Sequence, residues 1–91
     1  MIVNFRNKGL EDLFIEGASK KINKRYYKAA LMILDHLNMA IGPKDLVGVK
    51  DFHALHGKDD GRYSMHVNGN WCVTFSFDER GFIEIDFEDY H

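Results

Sequence analysis

Apolar and polar positions alternate at two different periods along the chain, and the changes between them mark out the elements. Residues 1–6, MIVNFR, alternate as a short strand does, and from Lys8 to Glu16 the apolar positions Leu10, Leu13 and Phe14 fall on one face of a helix. Gly17 supplies its C-terminal stop. From about residue 21 to residue 40, Tyr27, Ala30, Leu31, Leu34 and Leu37 recur at spacings of three and four, which predicts an amphipathic helix. It ends at IGPKD, where Pro43 cannot extend the hydrogen-bond ladder.

Beyond a short connector the period becomes two. Tyr63, Met65 and Val67 alternate with Ser64 and His66, and Trp71, Val73, Phe75 and Phe77 alternate with Cys72, Thr74 and Ser76. Between them NGN is a hairpin signal, because Asn and Gly tolerate positive φ. A second turn at DERG leads to FIEIDF, in which Ile83, Ile85 and Phe87 are expected to face inward and Glu84 and Asp86 outward. The expected fold is α+β: an N-terminal strand and two helices packed on one face of a twisted antiparallel sheet. Cys72 shares the opposite, polar face with Thr74 and Ser76, which argues against a core cysteine.

Length and composition restrict the function classes. Ninety-one residues, 45% of them hydrophobic, are expected to form one domain over 1–91. The single cysteine excludes an intramolecular disulfide and lacks zinc-site spacing, so no metal or other cofactor is expected. MIVNFRNKGL has no signal-peptide core and no stretch is apolar enough to span a membrane, so the expected location is cytoplasmic. A net charge of −2 argues against a freestanding nucleic-acid binder. The charge is nevertheless divided: residues 1–50 carry nine Lys or Arg against five Asp or Glu, and residues 51–91 carry three against nine.

Three segments in order, FRNKGLEDLFIEG, LHGKDDGRYSMHVNGNW and the final FEDYH, resemble the HigB-type killer toxins of the RelE/ParE superfamily. The resemblance implies a small ribonuclease that enters the 70S ribosome and cuts mRNA as it is translated. It also implies a helix-turn-helix, HigA-like antitoxin, through which alone the chain would meet DNA. Two rivals stand beside this reading: a ParE-like gyrase inhibitor, and a non-catalytic partner kept for antitoxin binding and co-repression.

Metal-independent RNA cleavage needs a base for the ribose 2′-hydroxyl, donors for the charge growing on phosphate, and an acid for the leaving oxygen. The resemblance carries these roles to Asp89, Tyr90 and His91. His91 suits proton transfer by its intrinsic pKa, and Tyr90 suits stacking or hydrogen bonding; the bland alternative is a frayed terminus. Two positions depart from the family pattern. Relatives have NWR where this chain has NWC, so Cys72 stands where an arginine is expected to face the scissile phosphate; a thiol offers one weak donor in place of a guanidinium fork. His56 stands where some relatives place a lysine, with Lys58 and Arg62 nearby as sources of positive charge or as solvated loop residues. A nucleophilic Cys72 would need a base, and His66 across the hairpin is the nearest one. Lys20, Lys24 and Lys28, spaced by four, form either a phosphate-gripping stripe or an ordinary solvated face. Asp59 and Asp60 read as turn residues.

Overall fold

The computed structural model describes residues 1–90; His91 lies outside the described residues. Helix α1 spans Lys8–Glu16. The Asn7 side chain opens it by accepting from the Leu10 N–H at 3.0 Å, and Gly17 closes it at φ 80°, donating its own N–H to the Leu13 carbonyl. Helix α2 spans Tyr27–Met39 and buries Ala30, Ile33, Leu34 and Leu37. Its start corrects the expectation of a helix from residue 21. Ser19 Oγ accepts from Lys21 N–H and Asn23 Oδ1 from Arg25 N–H, and a single 3-10 turn, Lys24–Tyr26, follows. These side-chain bonds to the backbone compete with helical ones and hold the segment out of the helix.

Four antiparallel strands lie in sequence order: β1 (His53–Ala54), β2 (Tyr63–Asn68), β3 (Trp71–Asp78) and β4 (Gly81–Asp89). The short β1, within what the sequence presents as a connector, adds an edge by pairing His53 with Ser64. The β2–β3 turn puts Gly69 at φ 57°, as the first central position of a two-residue hairpin favours. Across the sheet Tyr63 pairs with Phe75, Met65 with Val73, and Val73 with Phe87. These side chains join those of α1 and α2 in the core, so the helices cover one face of the sheet and the fold is α+β.

The inward alternation expected for the last strand fails at Ile83. Between the pairs Ser76↔Ile83 and Thr74↔Asp86, β4 has one more residue than β3, and Glu84 sits there at φ 51°. This bulge flips the side-chain parity. Phe82 and Ile85 are therefore buried, three apart, while Ile83 lies on the face of Ser76 and outside the core.

The same bulge explains why residues 1–6 are not a continuous strand. Ile2 and Phe5 form isolated parallel bridges to Phe82 and Ile85, with Val3 N–H donating to the Phe82 carbonyl and Arg6 N–H to that of Ile85. Between the bridges the Glu84 N–H turns aside to the Asn4 side chain at 2.6 Å. Gly81 lies so close to this segment that a Cβ there would come within 2.5 Å of the Met1 carbonyl. Among the described residues, no helix is long and apolar enough to cross a membrane.

Candidate functional site

The sheet face turned away from the helices carries the candidate chemistry. Its cross-strand rows follow from the register: His66, Cys72 and Glu88 in one, and Ser64, Thr74 and Asp86 in the next. This face is polar, as its alternation predicts, but it is not bare. Ser64 and Thr74 are 1% and 0% exposed and Cys72 is 9% exposed. Cys72 is thus buried while remaining outside the apolar core, so a position on the polar face does not expose it. Arg62, half-buried just before β2, explains part of the cover: its guanidinium donates to Ser76 Oγ at 3.2 Å, to Thr74 Oγ1 at 3.1 Å and to the Glu84 carbonyl at 2.9 Å.

The C-terminal residues reach the same face. Tyr90 N–H donates to the Asn70 carbonyl at 2.7 Å, extending the pairing of β3 and β4 beyond Asp89. The Tyr90 hydroxyl then donates to Asp59 Oδ2 at 3.2 Å. Asp59 ends the 3-10 turn Gly57–Asp59, which contains Lys58 and directly follows His56. This side-chain hydrogen bond joins Tyr90 to the loop that holds His56 and Lys58, both exposed. Burial, with the negative charges of Glu88 and Asp59 behind it, pushes the Tyr90 phenol up to about 12, so it keeps its proton at neutral pH and acts as a donor.

The remaining sequence candidates fall in different places. Asp89 pairs in register with Trp71, so it projects toward the helix side, away from Cys72, Glu88 and Tyr90. His66 does stand opposite Cys72, but its Nε2 lies 2.8 Å from the Gly69 carbonyl and the thiol points to the Asn70 carbonyl at 3.9 Å. No hydrogen bond joins thiol and imidazole among the described residues, which removes the support for a Cys–His nucleophile. His91 lies outside the described residues.

Lys20, Lys24 and Lys28 are exposed, but only Lys28 is in α2; Lys24 opens the 3-10 turn and Lys20 precedes it, so they do not form a helical stripe. Lys20 and Lys24 flank an open recess of about 510 Å³ floored by Ile22 and Tyr27. In the same turn, the Tyr26 ring packs 5.9 Å from Trp71 and 5.6 Å from Phe87. The basic segment is thereby fixed beside the end of the sheet at which Tyr90 emerges.

Thr74, Glu88 and Asp59 are the site members that motif reading does not single out. Thr74 Oγ1 accepts from Arg62 and donates to Glu88 Oε2 at 2.5 Å. The alternation does place Thr74 beside Cys72, but its partners depend on register across two strand pairs, one of them bulged.

A small antiparallel sheet with helices on one face, and with its C-terminal strand end tied to a polar loop on the other, is a compact α+β domain, and the fold class alone names no function. The family comparison is specific on this point: residues 3–91 match the HigB-like toxins, RelE-like toxins of type II toxin–antitoxin systems, and the chain belongs to that family. The chain is also 29% identical to a protein named Endoribonuclease HigB from Proteus vulgaris, over 99 aligned positions that cover the whole of both chains.

Proposed function

We propose that this chain is a single-domain, cytoplasmic toxin that cleaves mRNA on the translating ribosome by side-chain acid–base chemistry, and that Cys72 weakens it. Membership of a type II toxin family implies a protein antitoxin, and we take that partner to be HigA-like. The nuclease reading draws on the name of the Proteus vulgaris relative. The observation that carries it in this chain is the Tyr90–Asp59 hydrogen bond, which ties Tyr90 to the His56–Lys58 loop on the sheet face that also carries Cys72 and Glu88. In this scheme His91 transfers the proton, Asp89 orients or accepts it, and Tyr90 donates to phosphate or stacks on a base. His56 is the second acid–base candidate. Lys58 and Arg62 attract the phosphate, and Lys20, Lys24 and Lys28 contact ribosomal RNA.

One observation favours the non-catalytic partner as second reading. Glu88 stands directly across from Cys72, and the carboxylates of Glu88 and Asp59 both act on Tyr90. An arginine at position 72 would have offset them; the thiol leaves this corner acidic where a phosphate has to arrive.

The deciding experiment is primer extension on mRNA incubated with the purified chain, with and without active ribosomes. The proposal expects cuts inside the translated frame only, suppressed by the antitoxin. Cleavage of free RNA at equal rate would overturn ribosome dependence, and no cleavage by either this chain or its Cys72→Arg variant would favour the binding partner.

A further inference from the structure

Thr74 is fully buried, yet it is the meeting point of a cation and an anion on the candidate face. Its hydroxyl accepts from the Arg62 guanidinium and gives its single proton to the Glu88 carboxylate. The second bond, at 2.5 Å, is in the range of charge-assisted O–H···O⁻ contacts. Arg62 is held from three sides, by the Thr74 and Ser76 hydroxyls and by the carbonyl of Glu84, which the β4 bulge leaves out of the ladder to β3. All three acceptors are neutral oxygens, and among the described residues no ion pair joins Arg62 to a carboxylate. The guanidinium is therefore held in place without a carboxylate as its direct partner. Three of the five N–H donors of the guanidinium are used in these bonds, which leaves the Nε–H and one Nη1–H.

We propose that Thr74 is a spacer that keeps Arg62 and Glu88 from pairing, and that Arg62 thereby serves as the phosphate-binding cation that position 72 lacks. The inference rests on the reading of this face as the RNA site and deepens it. Two residues of strand, about 7 Å, separate Thr74 from Cys72 on the same face, so a phosphate brought to position 72 lies within reach of a guanidinium held at Thr74. Direct pairing of Arg62 with Glu88 would abolish this role, because an arginine matched to a carboxylate has little left for a phosphate. Thr74 prevents it by occupying the carboxylate with its own proton, and its branched Cβ restricts the rotamers available to the hydroxyl.

Replacing Thr74 with valine keeps the shape and deletes both bonds, leaving Glu88 free to close on Arg62. The test follows the Arg62 Nε–Hε resonance of the full chain in an NMR titration with inorganic phosphate, with Arg62→Lys as the assignment control. Phosphate should move this resonance saturably in the wild-type chain. Thr74→Val should weaken the binding roughly tenfold, and Thr74→Val combined with Glu88→Gln should restore it. Urea unfolding of each variant shows whether it is folded. Unchanged phosphate binding in Thr74→Val, failure of Glu88→Gln to restore it, or a wild-type resonance indifferent to phosphate would each overturn the proposal. Phosphate binding as described in a chain that never cuts mRNA supports it while overturning the nuclease reading.

Discussion

Position 72 is flanked across the sheet by His66 on one side and Glu88 on the other, and its thiol contributes one weak donor to that row. A guanidinium at this point would face Glu88 across the strand pair. Loss of one preorganised donor at a developing oxyanion costs about 10²–10³ in rate, so Cys72→Arg should raise mRNA cleavage by a factor of that order. Cys72→Ser should leave cleavage near its starting level; a comparable rise with serine would show that bulk or burial, rather than the guanidinium, is at issue. Tyr90 supplies a second residue-scale prediction. Its proton is held more tightly in the folded chain than at the ordinary value of 10.0, so its contribution to stability is intact below pH 10 and is lost as pH rises toward about 12. The tyrosine ¹³Cζ shift of Tyr90 should report phenolate forming only near pH 12, and half-ionisation at pH 10 would contradict the burial and the Asp59 bond. The candidacy of Cys72 and Tyr90 was legible because short motifs mark them. That of Thr74 was not, since nothing local to TFSF shows that a guanidinium from residue 62 and a carboxylate from residue 88 converge on it.

At the scale of elements, the bulge in β4 has the widest effects. It reverses the facing of Phe82 and Ile83, breaks the N-terminal pairing into two bridges and frees the Glu84 carbonyl for Arg62. Phe82→Ala should accordingly cost about 3–5 kcal/mol, and Ile83→Ala well under half of that, by urea unfolding; equal costs would restore the simple alternation of FIEIDF. Glu84 at φ 51° carries a backbone cost that glycine would relieve and a β-branched residue would worsen. The expected order of stability is Glu84→Gly at or above wild type, with Glu84→Val lower by at least about 1 kcal/mol. A valine variant as stable as the glycine one would contradict the bulge. The contrast between the two helices shows what a sequence reveals at this scale. The Lys8–Glu16 helix could be read because Leu10, Leu13 and Phe14 share one face and Gly17 is a local stop. The start of the second helix could not, since Lys21 to Arg25 suit a helix by composition and it is the Ser19 and Asn23 bonds to the backbone that keep them out. In β4, periodicity assumes an unbroken ladder, and the extra residue leaves no mark in the alternation itself.

Across the whole molecule, basic and acidic residues from the two halves of the sequence meet at one end of the sheet. The exposed Lys20, Lys24 and Lys28 stand beside the sheet end at which Tyr90 emerges, while Asp59 and Glu88 surround that tyrosine. Phosphate contacts from the lysines predict ribosome association that weakens with salt, and changing all three to glutamate should lower affinity and flatten that salt dependence in a sedimentation assay. Unaltered sedimentation would return the lysines to the solvated-face reading. On the proposed reading, this member of the HigB-like family is a ribosome-dependent nuclease held back by its thiol. The most direct measurement is paired expression of the chain and its Cys72→Arg variant from a tightly repressed promoter, with growth followed and mRNA ends mapped within translated frames. Strong growth arrest and in-frame cleavage are expected from the arginine version, and a much weaker effect from the unaltered chain. Intact mRNA with both versions, each shown to be folded and bound by its antitoxin, would contradict it.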